Sequence, residues 1–199
     1  MMHAIRAFYQ SNSSPQLIVV INPGMKSDWS ALCEQYTFSV KHTVVEGGDN
    51  RFESVRNGLK AIQSLDTELA NAIIAIHDAA RPLISPALID EAYRQAVRTG
   101  AAALALRSSD SVRVKSSNGL KNNAVPRSRV YLMQTPQAFN GAVLSDAYKQ
   151  TPDESFTDDA SVVEKKGYPI TLVDGDTRNI KITFPKDLHI AEILLQKDA

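Results

Sequence analysis

Short apolar runs rich in β-branched residues recur along the chain at Leu17 to Ile21, Thr43 to Val45, Ile73 to Ile76, Ala101 to Leu106 and Ile170 to Val173. Bounded by glycine, proline or polar clusters, they predict strands. Between most of them the apolar positions fall three and four apart, which predicts helices over Ser54 to Leu65, Pro86 to Val97, Leu144 to Gln150 and Pro185 to Leu195. Ser85 before Pro86 supplies an N-cap with proline at the first helical position, and Thr183 with Pro185 and Asp187 marks the last helix in a similar way. Strand and helix alternate. That order predicts an α/β fold built on a doubly wound, mainly parallel sheet with helices on both faces.

Between Ser108 and Val130 the alternation breaks. A short Val112-Arg113-Val114 piece, then Ser-Ser-Asn-Gly, then basic and polar residues reads as a hairpin-like excursion without a core of its own. An arm packed on a partner fits it better than a second domain, so residues 1–199 are expected to form one domain with an arm over about 108–130. No internal repeat or low-complexity tract is visible.

Charge narrows the possible partners. Lys plus Arg equals Asp plus Glu at 22 each, so no overall field draws the chain to nucleic acid or an acidic membrane, and any anion must be met by a local cluster. The single cysteine, Cys33, can form neither an intrachain disulfide nor a cysteine metal cluster, and is expected to act as a small buried hydrophobe. The N-terminal stretch has no apolar leader character, and no apolar run approaches the ~18 residues of a membrane span. A cytoplasmic protein is the expectation.

In an open α/β sheet, ligands bind beyond the carboxyl ends of the strands. Three polar clusters occupy such positions. Gly47-Gly48-Asp49-Asn50-Arg51 leads into a helical pattern: the glycines allow close backbone approach, and Asp49 and Ser54 could hydrogen-bond a base or sugar edge. Taken alone, it reads first as a βα turn with a surface ion pair. In Ala75-Ile-His-Asp-Ala-Ala-Arg-Pro82, Asp78 is placed to hold a divalent metal or a sugar hydroxyl, and Arg81 to neutralise phosphate oxygens. The plain alternative is an Asp–Arg pair closing a loop, with His77 satisfying a backbone group. Thr135, Thr157 and Lys181, read as loop residues, suit phosphate or serve as caps and surface residues.

Taken in order, VVEGGDNRFESVRNGLKAI, AIHDAARPLIS, QTPQAF, TDDASVVEKKGYPITLVDGD and NIKITFPKDLHIAE resemble the 2-C-methyl-D-erythritol 4-phosphate cytidylyltransferases of the non-mevalonate isoprenoid pathway, from residue 2 to about residue 195. The resemblance implies a Rossmann-like sheet with a protruding β-arm. It implies transfer from CTP to a sugar-alcohol phosphate, with Mg²⁺. It assigns Gly48, Asp49 and Ser54 to cytosine and Arg51 to support of their loop. Asp78 falls by the ribose and the metal, and Ala79 and Arg81 face the nucleotide and the acceptor alcohol. Arg127 and Lys181 match the two basic residues that position the acceptor phosphate, and Thr135 and Thr157 match hydroxyls of the same pocket. The arm matches one that crosses to a neighbouring subunit, giving a homodimer with shared sites. Ser111 and Arg113 stand where the family has threonine and lysine, keeping the hydroxyl and the charge.

One part of the family pattern has no counterpart in these residues. The family begins with a strand and a glycine-rich loop that grips the triphosphate, whereas MHAIRAFYQ resembles the helix that follows. Roughly thirty residues of the pattern are therefore unmatched, and the chain as written is expected to turn over poorly. Two other functions remain open at this point: a pentitol-phosphate cytidylyltransferase, such as one acting on ribitol 5-phosphate, and a non-catalytic nucleotide-binding protein.

Overall fold

The computed structural model describes residues 1–65 and 68–196. In chain order the elements are α1 (Met2–Gln10), β1 (Ile18–Ile21), α2 (Lys26–Gln35), β2 (Thr43–Glu46), α3 (Arg51–Gln63), β3 (Ile73–Ile76) and α4 (Pro86–Thr99). Then follow β4 (Ala101–Arg107), β5 (Val112–Lys115), β6 (Asn122–Val125), β7 (Tyr131–Asn140), α5 (Gly141–Ala147), α6 (Asp159–Lys165), β8 (Thr171–Asp174) and α7 (Pro185–Gln196).

Strand β4 explains the apolar run at 101–106. It is covered on both faces, so it shows no polar alternation. Ala102 and Leu104 face Ile89, Ala92 and Ala96 of α4, while Ala101 faces a second cluster containing Phe139, Leu144 and Val163. Helix α4 is fixed at both ends: Ser85 accepts a hydrogen bond from the Leu88 N–H at 3.4 Å, and Gly100 closes the helix at φ 86°, a left-handed backbone that favours glycine.

The main sheet runs β3-β7-β4-β8, with β7 antiparallel to both neighbours and β4 parallel to β8. Strands β3, β4 and β8 thus share one direction, as expected, but β7 was not anticipated. Its polar residues disguise it. Gln134 and Gln137 are buried and bonded: Gln134 Nε2 donates to the Asp176 carbonyl at 2.9 Å, and Gln137 Nε2 to Asp158 at 2.7 Å. Its register against β4 shifts between Ala103 and Ala105, and that irregularity accommodates Pro136, which has no N–H to pair.

Strands β1 and β2 pair in parallel as a separate two-stranded sheet. Their carboxyl ends lie beside that of β3, since the Gly47 N–H bonds the Ile21 carbonyl at 2.7 Å and Arg51 approaches Asp78 to 3.6 Å. Among the described residues, the facing edges of β1 and β3 are unpaired. A cleft of about 450 Å³ lies between them, lined by the consecutive runs 17–20 and 74–80. Successive side chains of a strand point to opposite faces, so lining by whole runs means that the strand edges themselves open into the cleft.

Helix α1 packs Ala4, Ala7 and Phe8 into the α4 cluster. The turn after it is tied to α4 by Asp90, which accepts from the backbone and side chains of Asn12 and Ser13 at 2.6 to 3.1 Å. Strands β5 and β6 form an exposed antiparallel hairpin turned at Gly119 (φ 71°), matching the expected excursion. Helix α7 starts at Pro185 as expected, but Thr183 does not cap it: the Asp187 carboxylate reaches back to accept from the Thr183 and Phe184 N–H groups, while the Thr183 hydroxyl turns to the Lys181 carbonyl. Cys33 is half-buried beside Trp29 and Phe38 rather than fully enclosed. No helix among the described residues is long and apolar enough to cross a membrane.

Candidate active site

The turn after β2 is tight because its residues nearly touch α3. A side chain at Gly48 would collide with Glu53, and one at Gly47 would meet the Ser54 hydroxyl. The Asn50 side chain caps α3 by accepting from the Glu53 N–H at 2.9 Å. Ser54 ties the turn to the helix: its Oγ accepts from the Gly48 N–H at 3.1 Å and donates to the Asn50 carbonyl at 2.8 Å. Asp49 is exposed, and neither it nor Gly48 lines the cleft between β1 and β3.

Where β3 ends, Asp78 sits at the centre of a cationic cluster. Lys181 Nζ lies 2.9 Å from its carboxylate, Arg51 3.6 Å and Arg81 Nε 3.8 Å. Burial would raise the Asp78 carboxyl, but Lys181 above all, with Arg51 and Arg81, holds it below the usual carboxylate range. Arg81 is pinned by carbonyls, donating to Asn179 at 2.8 Å and Met133 at 3.3 Å. Lys181 is carried by the segment after β8, which is tied down by the Ile182 N–H to the Ala80 carbonyl and by Asn179 Nδ2 to the Thr135 carbonyl.

Arg51 is held from behind. It forms two parallel bonds to the fully buried Asp159, at 2.9 and 2.5 Å, and Asp159 also accepts from the Tyr148 hydroxyl at 2.6 Å. Burial would lower the guanidinium, yet Asp159 overrides it and raises its pKa. Arg51 and Lys181 keep 40% and 50% of their side chains exposed, so both present cationic faces to an incoming anion.

A second cleft of about 230 Å³ brings together six of the expected residues, Arg51, Asp78, Arg81, Thr135, Thr157 and Lys181. It shares Arg51, Asp78 and Lys181 with the larger cleft, which adds Ser54 and Ala79. Thr135 stands inside β7, a buried strand, and not on a loop. Arg127 and Ser111 line neither cleft. Both belong to the arm, where Arg127 donates to the Ser109 carbonyl at 2.9 Å.

A profile of the 2-C-methyl-D-erythritol 4-phosphate cytidylyltransferase family matches residues 1–197. The chain belongs to this family. The enzyme of that name from Azobacteroides pseudotrichonymphae is 41% identical over 196 residues, covering 98% of this chain and 85% of its own length. The Phocaeicola vulgatus enzyme is 38% identical over 195 residues, with the same coverage. Among solved structures, a 4-diphosphocytidyl-2C-methyl-D-erythritol synthase superposes with a TM-score of 0.82 at 30% identity, over 98% of this chain and 88% of the other. The Thermus thermophilus cytidylyltransferase gives 0.76 at 30% identity, over 98% and 87%.

Beside this cytidylyltransferase framework, the residues that escaped sequence reading are the buried ones. Asp159, Tyr148 and Asn179 brace the cleft residues from behind, while Gln134 and Gln137 line the second cleft themselves. One signal was available: Asp158 followed by Ser161 at the third position is a capping pattern, which the structure forms in both directions, and it would have marked the start of α6. Nothing local indicates that Asp159, the next residue, is the buried one.

Proposed function

We propose that the chain catalyses cytidylyl transfer from CTP to 2-C-methyl-D-erythritol 4-phosphate, giving 4-diphosphocytidyl-2-C-methyl-D-erythritol and pyrophosphate for isoprenoid precursors, as one nucleotidyltransferase domain working in the cytoplasm. The observation that carries this reading is the convergence of Lys181, Arg51 and Arg81 on Asp78 at the strands' carboxyl ends, in a chain of this family along nearly its whole length.

An oxygen of the acceptor phosphate attacks the α-phosphorus. A new P–O bond forms, the bond to the β-phosphate bridge breaks, and pyrophosphate leaves with the electron pair. Such a reaction asks the protein for positioning and charge neutralisation. Lys181 positions the acceptor phosphate, while Arg81 and Thr157 face the acceptor and Ala79 the nucleotide. Gly48, Asp49 and Ser54 read cytosine. The Ser54 proton is already given to Asn50, so its oxygen can only accept; that suits the cytosine amino group and not the uracil oxygen.

Among the described residues there is no group of three or more His, Cys, Asp or Glu that could hold a metal by itself. A single carboxylate facing the triphosphate suits Mg²⁺, which is commonly met by one or two carboxylates and the substrate's phosphates. Asp78 would hold it, and the ion would screen the triphosphate charge. Arg127 and Ser111 complete the site from a second copy, through the arm, in a homodimer. Pyrophosphate release with CTP, UTP and ATP tests the nucleotide reading: CTP should be preferred by tenfold or more, on the order of one polar group left unpaired. Equal turnover of ATP would refute it.

A further inference from the structure

We infer that Thr135 positions Asp78 as a link in a one-way hydrogen-bond chain fixed by His77, and that its hydroxyl proton is not available to substrate. The direction of the chain follows from its far end. His77 Nε2 lies 3.0 Å from the Arg81 carbonyl, which can only accept, so Nε2 carries a hydrogen. The ring packs edge-on to Phe8 at 5.3 Å between centroids, with Arg81 close by. An imidazolium there would set a second cation against Arg81, with only a carbonyl and a hydroxyl, and no carboxylate, on its two nitrogens. The neutral ring leaves Nδ1 bare, so the Thr135 hydroxyl 3.1 Å away donates to it. The Thr135 oxygen in turn accepts the Asp78 N–H at 3.0 Å. Asp78 N–H to Thr135, Thr135 O–H to His77 and His77 N–H to Arg81 form one polarised sequence.

Two consequences follow. The chain grips the backbone of Asp78 where it leaves β3, which sets the carboxylate among Lys181, Arg51 and Arg81. Thr135 keeps only a lone pair to offer the cleft, so it repels a phosphate oxygen where the family likeness suggested a hydroxyl lining the acceptor pocket. His77 and Thr135 are positioning residues, and Lys181 is left to meet the phosphate. The kinetic consequence rests on the proposed reaction; the hydrogen-bond polarity does not.

Three readouts on the full chain test the inference. Nitrogen-15 NMR of labelled histidine, with the His77 signals assigned by their loss in His77→Gln, should show a proton on Nε2 and none on Nδ1; a protonated Nδ1 overturns it. Amide exchange at Asp78 should stay slow in Thr135→Ser and accelerate about tenfold in Thr135→Val, as expected for one lost hydrogen bond; the same rate in both variants overturns it. With CTP and the acceptor, Thr135→Val should lower kcat with the acceptor KM within about twofold, and Thr135→Ser should restore kcat. A raised acceptor KM at unchanged kcat would make Thr135 a substrate donor and defeat the inference. Absence of turnover in the unsubstituted chain would count against the proposed reaction alone, because the spectroscopic and exchange readouts decide the hydrogen-bond chain without it.

Discussion

Asp159 shows how much of the site depends on a side chain that no ligand reaches. Its carboxylate is fully buried and answered by both guanidinium nitrogens of Arg51 and by the Tyr148 hydroxyl. Arg51 keeps 40% of its side chain exposed, so water can still reach the guanidinium once the carboxylate is lost, and the cost is that of hydrogen bonds to a charged group, about 1.5–3 kcal/mol. Asp159→Asn should therefore lower the unfolding free energy read from denaturant titration by that order and release Arg51 from its fixed orientation; an unchanged value would show that solvent already screens the pair. Ser54 carries the other residue-scale prediction. Ser54→Ala removes the only-accepting oxygen, so the preference for CTP over UTP, measured as the ratio of the two kcat/KM values, should shrink by about tenfold, alongside a stability loss of about 1 kcal/mol from the two hydrogen bonds of the turn. Asp78, Arg81 and Lys181 were legible because residues just beyond parallel strands face the ligand side of such sheets. Asp159 was not, because burial is decided by tertiary packing.

At the scale of elements, the strands and helices with clean periodicity emerged within a few residues of their expected ends. Strand β3 matched at both ends and α4 at its start. Strand β7 failed because it does not alternate: its continuous buried run over residues 134–139 includes two glutamines, a threonine and a proline, which resemble loop residues until their partners on other elements are known. The arm was legible as a break in pattern, and Arg127 stands at its base, outside the cleft of its own chain. Mixing Arg127→Ala chains with Lys181→Ala chains should recover activity, since a heterodimer regains one site with both cations. A mixture as inactive as its parents would remove the arm from the site. The tie between α1 and α4 gives a pH-dependent prediction. Burial alone would raise Asp90, but Ser13 and Asn12 hold its pKa below the usual value. Its contribution is therefore present above the unfolded carboxylate pKa of about 3.9 and lost as pH falls through the lower folded value. Asp90→Asn should reduce the Tm at pH 7 by about 2 °C, a small shift because solvent screens the exposed carboxylate, and the gap to the unsubstituted chain should close in acid. A gap independent of pH would mean that the charge plays no part.

Across the whole molecule, the dominant feature is a sheet divided by a cleft. Strands β1 and β2 stand apart from β3-β7-β4-β8, and among the described residues the facing edges of β1 and β3 are unpaired. Unpaired backbone groups at an open edge exchange readily. The edge amides of β1 and β3 should therefore exchange orders of magnitude faster than those of β4 and β7, and uniform protection across all four strands would mean that the cleft is closed in solution. The doubly wound character could be read from alternating strands and helices, but the division of the sheet could not, since periodicity within a segment says nothing about its neighbour. The same cleft runs from Ser54, beside the turn proposed to read the base, to Asp78 and Lys181, and the choice of acceptor is the most direct measure of whether that junction works as proposed. In one reaction containing CTP and equal amounts of 2-C-methyl-D-erythritol 4-phosphate and ribitol 5-phosphate, with products resolved by mass spectrometry, the methylerythritol product should exceed the ribitol product by about tenfold or more, whatever the absolute rate. Ribitol product in equal or greater amount, or no cytidylyl product from either acceptor, would contradict the account.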